Sequence, residues 1–138
     1  MNKQLTDQLI EKYPQLFSHY QFLECDDGWY DLIDRLSWQI DQHCKWKDKV
    51  EQEDEDKEQE EERIYFVQIK EKFGTLRAYL NQQDECISGL VSMAESISAT
   101  ICEVCGEKGK SRKSGWIKTL CEKHHIENQQ RKNNEKEV

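Results

Sequence analysis

The sequence predicts an α+β fold in which helices pack on a small antiparallel β-hairpin and a metal-binding segment ends the chain. Two long stretches without proline carry apolar residues at three- and four-residue steps, the pattern of amphipathic helices. Between them the period changes to two on either side of Gly74. Near the end stand two close ligand pairs, Cys102-x2-Cys105 and Cys121-x2-His124. A chain of 138 residues makes one domain of ordinary size. Its element order divides into a body over residues 1–101 and a metal-binding segment over 102–138.

A short first helix is expected from Leu5 to Tyr13, with Leu9, Ile10 and Tyr13 on its apolar face, before Pro14 interrupts it. Leu16, Phe17, Tyr20 and Phe22 then form an apolar patch over the core. Asp26, Asp27 and Gly28 precede a helix reaching about Lys47, and the acids near its start suit the helix dipole. Its stripe is Trp29, Ile33, Leu36, Ile40 and Cys44, widened by Leu32. From Ile64 to Lys70 a strand puts Tyr65, Val67 and Ile69 on one face and Phe66, Gln68 and Lys70 on the other. Beyond Gly74, Leu76, Ala78 and Leu80 alternate with Thr75, Arg77 and Tyr79, so the two runs form an antiparallel hairpin. A second long helix spans about Asp84 to Thr100 through Ile87, Leu90, Val91, Ala94, Ile97 and Ile101. It runs almost directly into Cys102, so the metal site must pack against the helix end.

Three thiolates and one imidazole close a tetrahedral shell with no position left for water or substrate, which makes the metal structural. Gly106 permits the tight turn after Cys105. A segment rich in Gly, Lys and Ser, Glu107 to Gly115, leads to a half-buried strand, Trp116 to Leu120, that delivers Cys121. No Pro or Gly occurs from Cys121 to about Arg131, and in a helix there Cys121 and His124 share one face of the first turn. This order of knuckle, hairpin and helix is that of a treble-clef zinc finger. His125 competes as fourth ligand, and the more compact i, i+3 spacing favours His124. Zinc suits such a cage, with iron as the alternative.

Six cysteines would also allow disulfides. Against that, Met1 to Pro14 holds no continuous apolar stretch, and the longest aliphatic-aromatic run is Ile64 to Val67. Neither a signal peptide nor a membrane span is expected, and a reducing cytoplasm favours metal over disulfide. Cys25, Cys44 and Cys86 lack paired spacing and read as small buried side chains. The net charge of −8 is unevenly distributed. Asp48 to Arg63 holds ten acids against three bases, whereas Cys102 to Val138 holds six acids against nine bases. The acidic stretch is expected to be a disordered insert or a frayed extension of the preceding helix. Its functional alternative is to imitate a phosphate line or to dock a basic protein.

Enzyme chemistry finds few candidate groups. No histidine lies between Cys105 and Cys121 to act as a nuclease base, and the His-x-Glu element of zinc deaminases is absent. His19 and His43 sit among aromatic and helical segments, where a hydrogen-bonded structural histidine is the commoner case. Two binding classes remain. Trp38 and Trp46, eight positions apart and off the apolar stripe of their helix, either close the core edge or anchor a protein partner. Lys108, Lys110, Arg112 and Lys113, with Ser111 and Ser114, suit phosphate contact, but the overall charge opposes nonspecific nucleic-acid binding.

Four stretches carry a resemblance: Trp29 to Leu36, Lys70 to Arg77, Cys102 to Gly106, and Gly115 to Cys121. Together they resemble a family of small uncharacterised proteins of bacteria and their phages or prophages. The likeness covers most of the chain except the acidic insert and the last dozen residues. It brings no activity with it, and its phage setting implies a host-directed inhibitor. The expectation is therefore a cytoplasmic, non-enzymatic, zinc-stabilised protein that regulates or inhibits a protein partner. Nucleic-acid binding through the basic hairpin loop is the alternative.

Overall fold

The computed structural model describes residues 1–19, 23–53, 62–113 and 115–138. Tyr20 and Phe22 of the apolar patch, most of the acidic stretch, and Ser114 lie outside the described residues. Helix α1, Lys3–Lys12, starts where the Asn2 side chain accepts the Leu5 N–H and buries Thr6 and Leu9. After a 3₁₀ turn, Asp27–Trp29, helix α2 covers Tyr30–Gln52. Trp29, Ile33, Leu36 and Ile40 are fully or almost fully buried, as their spacing requires. The helix passes Lys47, so Asp48 to Gln52 continue it and do not open a loop. Lys, Glu and Gln are good helix formers, and a solvated turn of them needs no apolar face.

The central hairpin pairs β1, Phe66–Lys72, with β2, Thr75–Leu80, antiparallel. Here the expected alternation is corrected. The pairing shifts between Phe66 and Gln68, and this irregularity lets Phe66 and Ile69 both point into the core while Val67 is exposed. On β2, Leu76 and Ala78 are buried as expected. The outer edge of β1 is covered by the chain that follows α1. Phe66 N–H donates to Leu16 O, Glu24 N–H to Ile69 O, and Glu71 N–H to Glu24 O.

Helix α3, Glu85–Ser98, is capped by Asp84, whose carboxylate accepts the Ile87 N–H. Ile87, Val91 and Ala94 are buried against α2 and the hairpin, but the fourth inward position is Ser98 and not Ile97, which is exposed. The swap has a chemical reason: Ser98 Oγ accepts the buried Leu76 N–H and donates to Glu95 O, so the hydroxyl satisfies backbone that an isoleucine could not. The remaining elements are a short antiparallel pair, β3 (Lys110–Arg112) and β4 (Lys118–Leu120), and helix α4, Glu122–Lys136. Strand β4 begins two residues later than Trp116, because Gly115 turns at φ 83° and leaves Trp116 in solvent. Among the described residues, no helix is long and apolar enough to cross a membrane.

Candidate metal centre

The knuckle starts at Cys102, four residues after the end of α3. Cys102 N–H donates to Glu107 O and Gly106 N–H to Cys102 O, a turn that needs the positive φ of 81° at Gly106. Strand β4 then ends on Leu120, and Cys121 serves as the N-cap of α4, which places His124 on the first helical turn. His124 Nδ1 lies 3.2 Å from Cys121 Sγ and 3.6 Å from Cys102 Sγ, while Cys105 Sγ lies 3.8 Å from Cys121 Sγ. All four ligand atoms fall within 4.8 Å of one another, so this Cys₃His cluster could hold a metal ion. His125 stands outside the cluster. Its N–H donates to Cys121 O, and its Nδ1 is buried without a hydrogen-bond partner.

Electrostatics prepare one ligand in particular. Burial opposes ionisation of Cys102, but the N–H groups of Cys121, Cys105 and Val104 around its sulfur outweigh burial and lower its pKa. Cys105, at the surface, is raised by desolvation and by its neighbouring thiols. Cys25 contrasts with both: burial pushes it up to about 12, which leaves an inert, small core side chain. Cys44 is also raised by burial, and Cys86 is exposed. Beyond the ligands, the Glu127 carboxylate stands 3.8 Å from His124 Nε2, on the side of the ring where an acid can orient a ligating imidazole.

The cluster is fastened to the body by hydrogen bonds from both backbone and side chains. Gly28 N–H donates to Glu103 O at 2.7 Å, and a Cβ on Gly28 would fall 2.2 Å from Cys102 O. Trp29 Nε1–H donates to Ile101 O, Glu103 N–H to Thr119 O, and Thr119 Oγ1 to Gly74 O at 2.6 Å. Glu103, between the first two ligands, is itself buried, and desolvation followed by the nearby Asp26 raises its pKa to about 7. Sequence reasoning missed Gly28, Glu103 and Thr119, since their bonds between body and metal segment join residues 45 or more positions apart along the chain.

The other candidate residues separate. Trp38 and Trp46 are 44% and 61% exposed, so neither closes the core, although Trp46 stacks on His43 at 6.0 Å. Beside Trp38 lies an open depression of about 480 Å³ whose charges are largely matched, Lys12 with Asp34 and Lys45 with Asp41. Lys108, Lys110 and Lys113 are exposed. Arg112 is not available as a phosphate ligand: its guanidinium donates to Leu120 O and Glu122, so it clasps the hairpin to α4. These features define an α+β protein with a Cys₃His cluster fused to its body. Comparison of the chain with protein-family models, curated proteins and solved structures finds no match.

Proposed function

We propose that the protein is a zinc-stabilised, non-enzymatic binding module that regulates or inhibits a partner protein through the exposed face of α2. Zinc is supported by the cluster's dimensions. With Zn–S of about 2.3 Å and Zn–N of about 2.0–2.1 Å, tetrahedral edges are roughly 3.8 Å between sulfurs and 3.5 Å from sulfur to nitrogen. Three of the six edges, 3.8, 3.6 and 3.2 Å, lie close to these values, and all six fall within 4.8 Å. Four protein ligands leave the ion no position for substrate, so its contribution is to the fold.

The observation that carries the binding reading is the pair Trp38 and Trp46, large aromatic side chains exposed on a rigid helix. Such residues dominate interface energetics when a partner covers them. The loss of Arg112 to an internal ion pair weakens the rival reading, in which the basic loop alone grips phosphates. The phage setting of a host-directed inhibitor rests on the sequence resemblance alone. The test is affinity capture from nuclease-treated bacterial lysate with the zinc-loaded chain and a Trp38→Ala/Trp46→Ala variant. A defined protein held in stoichiometric amount by the wild type and lost from the variant supports the proposal. Equal recovery by both would overturn the assigned face.

A further inference from the structure

Two exposed aromatic side chains stand where neither the core nor turn geometry calls for them. The β1–β2 hairpin closes through Phe73 and Gly74, whose φ values are 53° and 81°, between the paired Lys72 and Thr75. Both positive φ angles mark a two-residue turn in which Asn-Gly is the favoured pair. Phenylalanine at the first position is strained, and its 67% exposure means that burial does not offset the strain. Trp116, 69% exposed, follows the left-handed Gly115 in the second hairpin.

Tertiary contact brings these two turns together. Thr119 Oγ1 donates to Gly74 O, and a Cβ on Gly74 would lie 3.1 Å from Ile117 Cγ2. Phe73 and Trp116 therefore flank one contact between the body and the metal segment. Val104, also exposed, adjoins Glu103, whose N–H reaches Thr119 O. One carboxylate lies in the turn itself, where Glu71 Oε1 accepts the Gly74 N–H at 2.7 Å, and cations lie nearby. Lys72 Nζ lies 5.6 Å from the Phe73 ring centroid, and Lys110 and Lys113 belong to the adjoining hairpin. None of the three has a carboxylate within ion-pair distance among the described residues. Most of the acidic charge precedes this region: from Ile64 to the end the chain holds ten acids and twelve bases.

We propose that this face binds single-stranded nucleic acid, with bases stacked on Phe73 and Trp116 and phosphates against Lys72, Lys110 and Lys113. Exposed rings with free cations beside them offer what an unpaired strand needs, since every base has a stacking face and the backbone supplies negative charge. A duplex hides those faces, and the cations here, without ion-pair partners among the described residues, contrast with the matched charges beside Trp38. The proposal uses none of the α2 residues and goes beyond the protein contact proposed for them.

The experiment is fluorescence anisotropy of labelled oligo(dT) and oligo(rA), each of about 15 nucleotides, against the full zinc-loaded chain at two salt concentrations, with tryptophan quenching read in parallel. Binding should weaken as salt rises, and Lys72→Ser/Lys110→Ser/Lys113→Ser should flatten that dependence. Phe73→Asn should weaken binding roughly tenfold while leaving the melting temperature equal or higher, because asparagine suits the positive φ. Trp116→Ala should weaken binding comparably and remove most of the quenching. Trp38→Ala/Trp46→Ala should bind oligonucleotides like the wild type, which keeps this test separate from that of the α2 face. No binding near physiological salt would overturn the proposal, as would affinity unchanged in a well-folded Phe73→Asn variant. Equal displacement of the oligonucleotide by an acidic polypeptide would also overturn it, and would reassign the face to acidic protein segments.

Discussion

The body and the metal segment of this protein are held together by different physics. The buried apolar cluster runs from Leu9 through Trp29, Ile33, Ile40, Phe66, Ile69 and Leu76 to Ala94, and every member belongs to the body. In the metal segment, Cys102 and Leu120 are the only buried apolar residues among those described, and α4 buries none. A segment with so little apolar surface to remove from water cannot offset its own conformational entropy. It depends on the ligand cluster and on hydrogen bonds to the body, from Gly28 N–H to Glu103 O and from Thr119 Oγ1 to Gly74 O. The comparison teaches that a cluster able to hold a metal can stand in for a core when the chain can still borrow a hydrophobic neighbour.

The largest expected effect follows from removing the ion or one of its ligands. Structural zinc sites in small fingers contribute on the order of 10 kcal/mol of apparent binding free energy. Chelation or Cys121→Ala should therefore unfold the metal segment and, through its contacts with Gly28 and Gly74, lower the melting temperature of the body by roughly 10 °C. Cys25→Ala should cost far less, since Cys25 is a small core side chain outside the cluster. Metal analysis and calorimetry check both. If the body melts unchanged without metal, the two regions are energetically independent and the comparison fails.

Next in size is Gly28→Ala, which pushes a Cβ to 2.2 Å from Cys102 O and 2.4 Å from Glu103 O, both backbone atoms. It should cost about 2–4 kcal/mol and weaken metal retention as well, because it separates knuckle from body. Gly89→Ala is the contrasting control. A Cβ on Gly89, inside α3, meets nothing within 4 Å, so alanine should stabilise the protein by about 0.5–1 kcal/mol. Denaturant unfolding of the two variants should move the midpoint in opposite directions.

A smaller effect belongs to the body alone. Burial opposes ionisation of Asp84, but its bonds to His43 and the Ile87 N–H, with the charges of His43 and Lys47, prevail and hold its pKa at about 2. A carboxylate whose folded pKa is depressed stabilises the fold fully above its unfolded value near 3.8. That contribution is lost as pH falls through about 2. Asp84→Ala should therefore cost about 1 kcal/mol at neutral pH and behave like the wild type in strong acid, as urea titrations at several pH values would reveal. The smallest effect is expected from deleting Asn133 to Val138. These residues end a helix with nothing buried, and a shift above about 1 °C would mean that α4 packs more tightly than its exposure implies.

What the sequence determined by itself is everything governed by short spacing. Apolar steps of three and four gave α2 and α3, a period of two around Gly74 gave the hairpin, and i, i+3 spacing picked out the four clustered residues and favoured His124 over His125. Each follows from backbone geometry within a few residues, so it can be read locally. Tertiary structure alone decided which neighbours filled those patterns. The shift after Phe66 turned the inward face of β1, and the unmet Leu76 N–H drew Ser98 into the place expected for Ile97. Arg112 went to Glu122, and the exposure of Trp38, Phe73 and Trp116 was settled only by how the segments packed. Those outcomes depend on hydrogen-bond demand and surface contact between segments far apart in the chain, which no local period encodes.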